Sequence, residues 1–164
     1  MRREGKSWGV ILALGLVLLA GCGFHLRGQS PLPFASAYID APPGSSLALQ
    51  LSQSLRVSGK TVQATAQGAE VRIRLSGERR GKDILSLSGG GKVREYRLTH
   101  RVTLSAEDAA GRILLAPAEL IVTRDYAYDD AQTLAKEAEE AQLVRDMEQE
   151  LVRQILRRLA HLRR

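Results

Sequence analysis

Cys22 is the only cysteine in this chain of 164 residues. A lone thiol in an exported protein can stay free, bridge to another chain, or accept an acyl group. The residues in front of it point to acylation. Arg2, Arg3 and Lys6 form a basic segment, an apolar run follows from Trp8 to Ala20, and Ala20 and Gly21 are small. That is the layout of a secretory signal, too short for a comfortable transmembrane helix. A thiol that closes such a signal behind small residues is placed to carry lipid. Each buried methylene contributes about 0.8 kcal/mol, and two or three chains make a stable anchor where one does not.

Other residue groups with chemical potential have blander readings. Gly89-Gly90-Gly91-Lys92 lacks the outer glycine spacing and the Ser/Thr of a phosphate-binding loop, and it joins two strands. His25, His100 and His161 lie far apart and suggest no metal cluster. Glu139, Glu140, Glu148 and Glu150 read as a solvated helix face rather than a catalytic pair. With no nucleophile–base or metal-ligand grouping, the sequence predicts a protein that is not an enzyme and needs no cofactor.

The formal net charge is +6, and Arg2, Arg3 and Lys6 against Glu4 supply +2 of it, leaving +4 after residue 21. A moderately basic exported domain suits anionic lipids, phosphorylated glycolipids or an acidic protein surface. Aromatic residues make up only 4% of the chain, too few for base-stacking platforms, and nucleic acid is not expected as a partner. Residues 1–21 are read as a lipoprotein signal peptide, 22–36 as a lipidated N-terminus and tether broken by Gly28, Pro31 and Pro33, and 37–164 as one α/β domain.

Within the domain, Ala37–Asp40 predicts a first strand. Ser45 and Ser46 are N-cap candidates for a helix whose stripe is Leu47, Leu51 and Leu55, with Gly59 just past its end. A short strand around Val62 is possible. Val71, Ile73 and Leu75 alternate with Arg72, Arg74 and Ser76; beyond a polar patch, Leu85 and Leu87 resume the alternation, and Gly89–Gly91 turns the chain. Val93–Ala106 is the clearest strand, with Tyr96, Leu98, His100, Val102 and Leu104 on one face. Ile113–Tyr126 follows, interrupted by Pro117, which marks an edge or a bulge. Asp129 and Asp130 cap a long helix, with Gln132 completing a capping box, a stripe from Val144 to Leu162, acids at its start and arginines at its end. About 33 residues give roughly 50 Å.

The element order β-α-β-β-β-α predicts a two-layer α/β sandwich: a mixed sheet of four strands with two helices on one face. The other face carries Arg72, Arg74, Glu95, Arg97, Thr99, Arg101 and Thr103.

Leu19-Ala20-Gly21-Cys22 resembles the lipobox of bacterial lipoproteins, and Gly23 after the cysteine favours sorting to the outer membrane. Cys22-Gly23-Phe24-His25-Leu26-Arg27 is similar to the start of the lipopolysaccharide-assembly lipoprotein family, LptE. Arg94-Glu95-Tyr96, Thr133-Leu134-Ala135-Lys136-Glu137 and Gln154-Ile155-Leu156-Arg157-Arg158-Leu159 resemble further family segments in order. The resemblance implies an outer-membrane lipoprotein, anchored through Cys22 in outer-membrane lipid, with its domain on the periplasmic side and within the LptD β-barrel as a plug. It also implies a role in delivering lipopolysaccharide to the cell surface. Lys136 matches a family lysine implicated in ligand contact. The family's basic residue at the sheet hairpin has no clear match here; Gly89–Gly91 stands there with Lys92 and Arg94 just beyond, so Lys136, Lys92 and Arg94 are the candidate lipopolysaccharide ligands. The competing reading is an auxiliary lipoprotein of another outer-membrane or phospholipid transport system.

Overall fold

The computed structural model describes residues 32–162. Cys22, His25 and the signal segment lie outside the described residues.

The strands are β1 (Ser36–Asp40), β2 (Thr61–Gln63), β3 (Val71–Leu87), β4 (Val93–Asp108) and β5 (Ile113–Ala127); the helices are α1 (Ser46–Val57) and α2 (Thr133–Ala160). The sheet order is β2-β1-β3-β4-β5. β1 runs parallel to both β2 and β3, while β3, β4 and β5 pair antiparallel. The sheet therefore has five strands rather than the predicted four. The extra strand, β2, is the short one read around Val62; it spans only Thr61–Gln63, too few residues to show an alternation of its own.

The first helix follows its sequence signals closely. Ser45 accepts the Ala48 N–H through its hydroxyl at 3.1 Å, filling the N-cap role. Leu47, Leu51 and Leu55 are fully buried. At the other end Gly59 has φ +74°, and the N–H groups of Gly59 and Lys60 donate to the carbonyls of Arg56 and Leu55. That is the paired bonding of a Schellman stop, which needs a left-handed residue at that position.

The second helix departs from expectation at its start. The chain first makes a single 3-10 turn, Asp130–Gln132, so α2 proper has 28 residues, not about 33. Asp129 accepts the Ala131 N–H through its carboxylate at 3.0 Å, and the Gln132 side-chain amide donates to the same carboxylate. Gln132 thus never reaches back to the Asp129 backbone, and the predicted capping box does not form. At 1.5 Å per residue α2 is about 42 Å long.

Both helices lie on one face of the sheet. The core joins Leu47, Leu51 and Leu55 of α1 and Leu151, Ile155 and Leu159 of α2 to Ile73, Leu98, Val102 and Leu104 of the sheet. Leu32 and Phe34, in the stretch read from sequence as a tether, also sit in this core. Full burial of one leucine contributes about 1.5–3 kcal/mol. Pro117 falls where β5 gains one residue on β4, between Ala118 opposite Leu104 and Leu115 opposite Ala106. β5 is also an edge strand, so the missing N–H goes unnoticed.

Candidate functional site

A single bulge decides which side chains of β3 meet the helices. Ser76 pairs with Thr103 and Arg79 with Arg101, so β3 advances three residues while β4 retreats two. Gly77 sits in that step at φ +61°, a left-handed conformation suited to glycine. One extra residue flips the alternation. Before the bulge Val71, Ile73 and Leu75 face the core. After it Glu78, Arg80 and Lys82 take the inner side, with Arg80 opposite the buried His100 and Lys82 opposite the buried Leu98.

The consequence is a polar network between sheet and helices. His100 Nε2 lies 3.0 Å from Glu78 Oε1, and the Ser45 hydroxyl donates to Glu78 Oε2 at 2.7 Å. The Arg80 guanidinium pairs with Glu148 of α2. Glu148 is only 5% exposed and also accepts from the Ser46 hydroxyl at 2.6 Å and the Gln50 amide at 2.5 Å. A buried carboxylate needs such partners, because its lost hydration is otherwise uncompensated. The network ties β3, β4, α1 and α2 together.

Further along, the Lys82 ammonium meets Glu140 at 2.5 Å and stands over the Tyr96 ring, 4.2 Å from its centroid. The Tyr126 hydroxyl donates to the same Glu140 oxygen at 2.5 Å. Burial raises the Glu140 carboxyl, but hydrogen bonds from Lys82 and Tyr126 outweigh it and hold the group below its usual value. Burial likewise lowers the Lys82 ammonium, and Glu140 and Tyr126 more than reverse that. The Tyr126 phenol is raised, first by burial and then by its bond to Glu140. Glu148, buried, and Glu140, half-buried, are therefore partners of cations on the inner side of the sheet, which corrects the reading of all four helix glutamates as a solvated face. The missed signal was Gly77, an isolated glycine in a strand pattern, which marks a bulge.

The three candidate basic residues gather at one end of the molecule. Lys92 closes the β3–β4 hairpin, and its ammonium lies 3.6 Å from Asp130. The Tyr128 N–H donates to the Arg94 carbonyl at 2.8 Å. Lys136 stands in the first turn of α2, just past that corner, and pairs with Glu139 at 2.9 Å. Around these cations Ile84, Leu87 and Leu134 are exposed by 57%, 55% and 83%. This far end combines cationic and apolar surface, the two chemistries an anionic amphiphile presents. Acids interleave with them, Asp129, Asp130, Glu137 and Glu139 among the closest in sequence.

The outer face of the sheet is polar and largely self-paired. Arg97 makes two bonds of 2.8 Å to Asp125, Arg74 bonds Asp40 at 3.0 Å, and Arg101 lies 3.9 Å from Glu119. Among the described residues no group of His, Cys, Asp or Glu is arranged to hold a metal ion. Among them, too, no helix is long and apolar enough to cross a membrane.

A family model described as LptE, lipopolysaccharide-assembly, matches residues 33–159. The chain is similar to the LPS-assembly lipoprotein LptE of Photorhabdus laumondii, at 28% identity over 153 residues covering 92% of this chain and 83% of that one. It is similar at 27% over 154 residues, with the same coverage, to the protein of that name from Pectobacterium atrosepticum. Among solved structures, a lipoprotein B of Nitrosomonas europaea superposes with TM-score 0.74 and 40% identity, over 84% of this chain and 90% of that one.

Proposed function

This chain belongs to the LptE family of lipopolysaccharide assembly, and from that premise we propose that it is a lipid-anchored plug of the outer-membrane LptD β-barrel. Cys22 is the acylated mature N-terminus, and the domain stands on the periplasmic side and within the barrel. It is not an enzyme; its work is to bind and to position.

The observation that supports this reading best is the outer sheet face. Three of its arginines are matched across strands, Arg97 with Asp125, Arg74 with Asp40 and Arg101 with Glu119, and the exposed Ile121 stands among them beside Arg101. The lumen of a large barrel is polar. Such a face can enter it with little apolar surface to bury and with part of its charge already paired. The contact is broad, so no single side chain controls it.

Lipopolysaccharide is met at the far end. Lys136, Lys92 and Arg94 supply charge-assisted donors for its phosphates. Lys136 also adjoins the positive end of α2. Its bond to Glu139 must be exchanged for one to phosphate, so its net contribution falls at or below the low end of about 1.5–3 kcal/mol.

The test is purification of the native protein from outer membranes with identification of its partner, repeated for Lys136→Glu. Wild type and variant should both bring down the barrel, and the variant should bind lipopolysaccharide more weakly at low salt. Absence of a barrel with the wild type overturns the plug. Unchanged lipopolysaccharide binding makes Lys136 an ordinary surface lysine. Intact mass of the same preparation reads the anchor, since a bare Cys22 or a retained segment 1–21 rules it out.

A further inference from the structure

The first described residues and the end of α2 meet at the same end of the molecule, opposite the hairpin and Lys136. Ser36 pairs with Thr61 and Ala37 with Val71, where β2 and β3 begin. Val71 faces Asp108 at the close of β4, and Leu114 and Leu115 at the start of β5 border the last turn of α2. Leu32 is fixed there as well, because the Lys60 ammonium donates to its carbonyl at 3.1 Å.

Leu32 follows Cys22 by ten residues. Ten residues reach at most roughly 36 Å when fully extended. The helix alone is about 42 Å long. A lipid on Cys22 therefore holds this near end toward the leaflet that carries it, and the chain between is too short to present the far end instead.

The near end is built to meet such a surface. A hollow of about 450 Å³ opens between α2 and β5, with Arg157, Arg158 and His161 over Leu114, Leu115 and Leu162. Arg157 reaches Glu150 at 3.3 Å yet keeps 62% of its side chain exposed, and Arg158 is exposed too. His161 Nδ1 donates to the Arg157 carbonyl at 2.7 Å. Nearby, Asp108 is already engaged by Arg112 at 2.6 Å. The partial negative charge of a helix C-terminus opposes anion binding. Here three of the last four carbonyls are occupied, by His161 Nδ1 at Arg157 and by the N–H groups of His161 and Leu162 at Arg158 and Leu159, and two guanidinium groups stand over the same end.

We infer that this near end docks on the anionic phospholipid headgroups of the anchoring leaflet, with Arg157 and Arg158 as the contacting cations. The inference rests on acylation of Cys22, which supplies the proximity; the arginines then set orientation. Before the domain enters the barrel it stands on the leaflet by this near end, with the hairpin end held off the membrane.

Cys22 is the only cysteine, so once it is acylated an introduced cysteine is the sole free thiol. Full-length protein labelled at Ala110→Cys (near end) or Leu134→Cys (far end) is reconstituted into phosphatidylcholine vesicles with or without phosphatidylglycerol. Quenching by a headgroup-attached quencher is then measured. Phosphatidylglycerol should raise quenching at the near label and not the far one, and salt should erase the rise. Each arginine beside an anionic surface strengthens docking about fivefold, so Arg157→Gln with Arg158→Gln should lower the docked ratio by up to roughly twenty-fivefold. Arg157→Lys with Arg158→Lys should retain it, which separates lost charge from lost folding. Vesicles that fail to capture the protein at all overturn the anchor, and this inference with it. Capture with quenching blind to lipid charge overturns the docking alone. If the double glutamine variant instead releases the barrel, the near end is a protein contact and the lipid assignment is wrong.

Discussion

The two ends of α2 belong to different kinds of structure. From Met147 to Leu159 the helix buries Met147, Glu148, Leu151, Val152, Ile155 and Leu159. From Thr133 to Asp146 it buries nothing fully. The sheet divides in the same way. β3 contributes Val71, Ile73 and Leu75 to the core before Gly77, and Ile84, Leu85 and Leu87 are exposed beyond it. The near end holds the fold together. The far end is held by ion pairs, a tyrosine cluster and the hairpin. A helical half without a buried apolar stripe has little tertiary support of its own, so its stability is low and partner contacts can shape it. That division suits the proposed anchor at one end and the proposed ligand contact at the other.

The largest effect should separate the two halves outright. Leu151→Ala, at the centre of the buried stripe, should cost about 2–5 kcal/mol in urea unfolding. Leu134→Ala, on the same helix but 83% exposed, should stay within about 0.5 kcal/mol of wild type. Similar costs for both would erase the distinction between the halves.

Glu148 stands at the border, and its loss should come next. Glu148→Ala strips Arg80, Ser46 and Gln50 of their shared acceptor and should cost about 1–3 kcal/mol. The figure stays below the about 3–5 kcal/mol of a fully buried pair, because the Arg80 side chain is 46% exposed and can rehydrate. Adding Arg80→Met should recover part of the loss. A double variant no better than Glu148→Ala would mean that Arg80 is not the group left stranded.

The bulge itself is tested by two glycines on one strand. Gly77→Ala forces a side chain into φ +61° and should cost about 1–2 kcal/mol. Gly81 has no such φ, and a Cβ there would meet Asp83 and Thr99 at ordinary contact distances of 3.8 and 3.9 Å. Gly81→Ala should therefore be neutral, or stabilising by about 0.4–1 kcal/mol. Equal responses would mean that Gly77 does not set the register.

The near half was legible in sequence because apolar periodicity carries it. The stripe Leu47, Leu51 and Leu55, the alternation at Val71–Leu75, and Leu98, Val102 and Leu104 all face where their spacing places them. The far half was not, because alternation was followed through Gly77 without the flip a left-handed glycine brings. Glu78, Arg80 and Lys82 therefore read as one more polar patch, and their partners Glu140 and Glu148 as solvent-facing acids. β2 lies at the short strand offered around Val62, though its three residues were too few to count it into the predicted sheet. Lys136 came from family resemblance, Lys92 and Arg94 from their place just beyond the hairpin, and the fold gathers all three at one end. Burial of His100 was readable from its place among Leu98, Val102 and Leu104; its partner Glu78 was not, since it depends on the same bulge.

The smallest expected effect concerns the far end alone and has a pH signature. Glu140 is held below the ordinary carboxylate value, so its contribution to stability is complete above about pH 4.3, the unfolded value, and disappears as pH falls through the lower folded value. Lys82 and Tyr126 are raised, so their contributions are complete below the unfolded values of about 10.4 and 10 and disappear as pH rises through the folded ones. The pair is partly open to solvent, with the Lys82 side chain 37% exposed, which limits it to about 0.2–1 kcal/mol. Lys82→Met keeps an apolar chain of similar length and removes the ammonium, with both its pair to Glu140 and its contact over the Tyr96 ring. It should be destabilised by that amount near neutral pH, and the gap to wild type should close in acid once Glu140 is protonated in both. Asp108, Asp125 and Glu150 are also depressed and lend both proteins an acid limb, so only the difference between the curves is diagnostic. A gap constant from neutral pH into acid would mean that Lys82 acts through its contact with the Tyr96 ring and not through Glu140. The far end would then be held by its tyrosines, and salt, which screens ion pairs, should leave its stability unchanged.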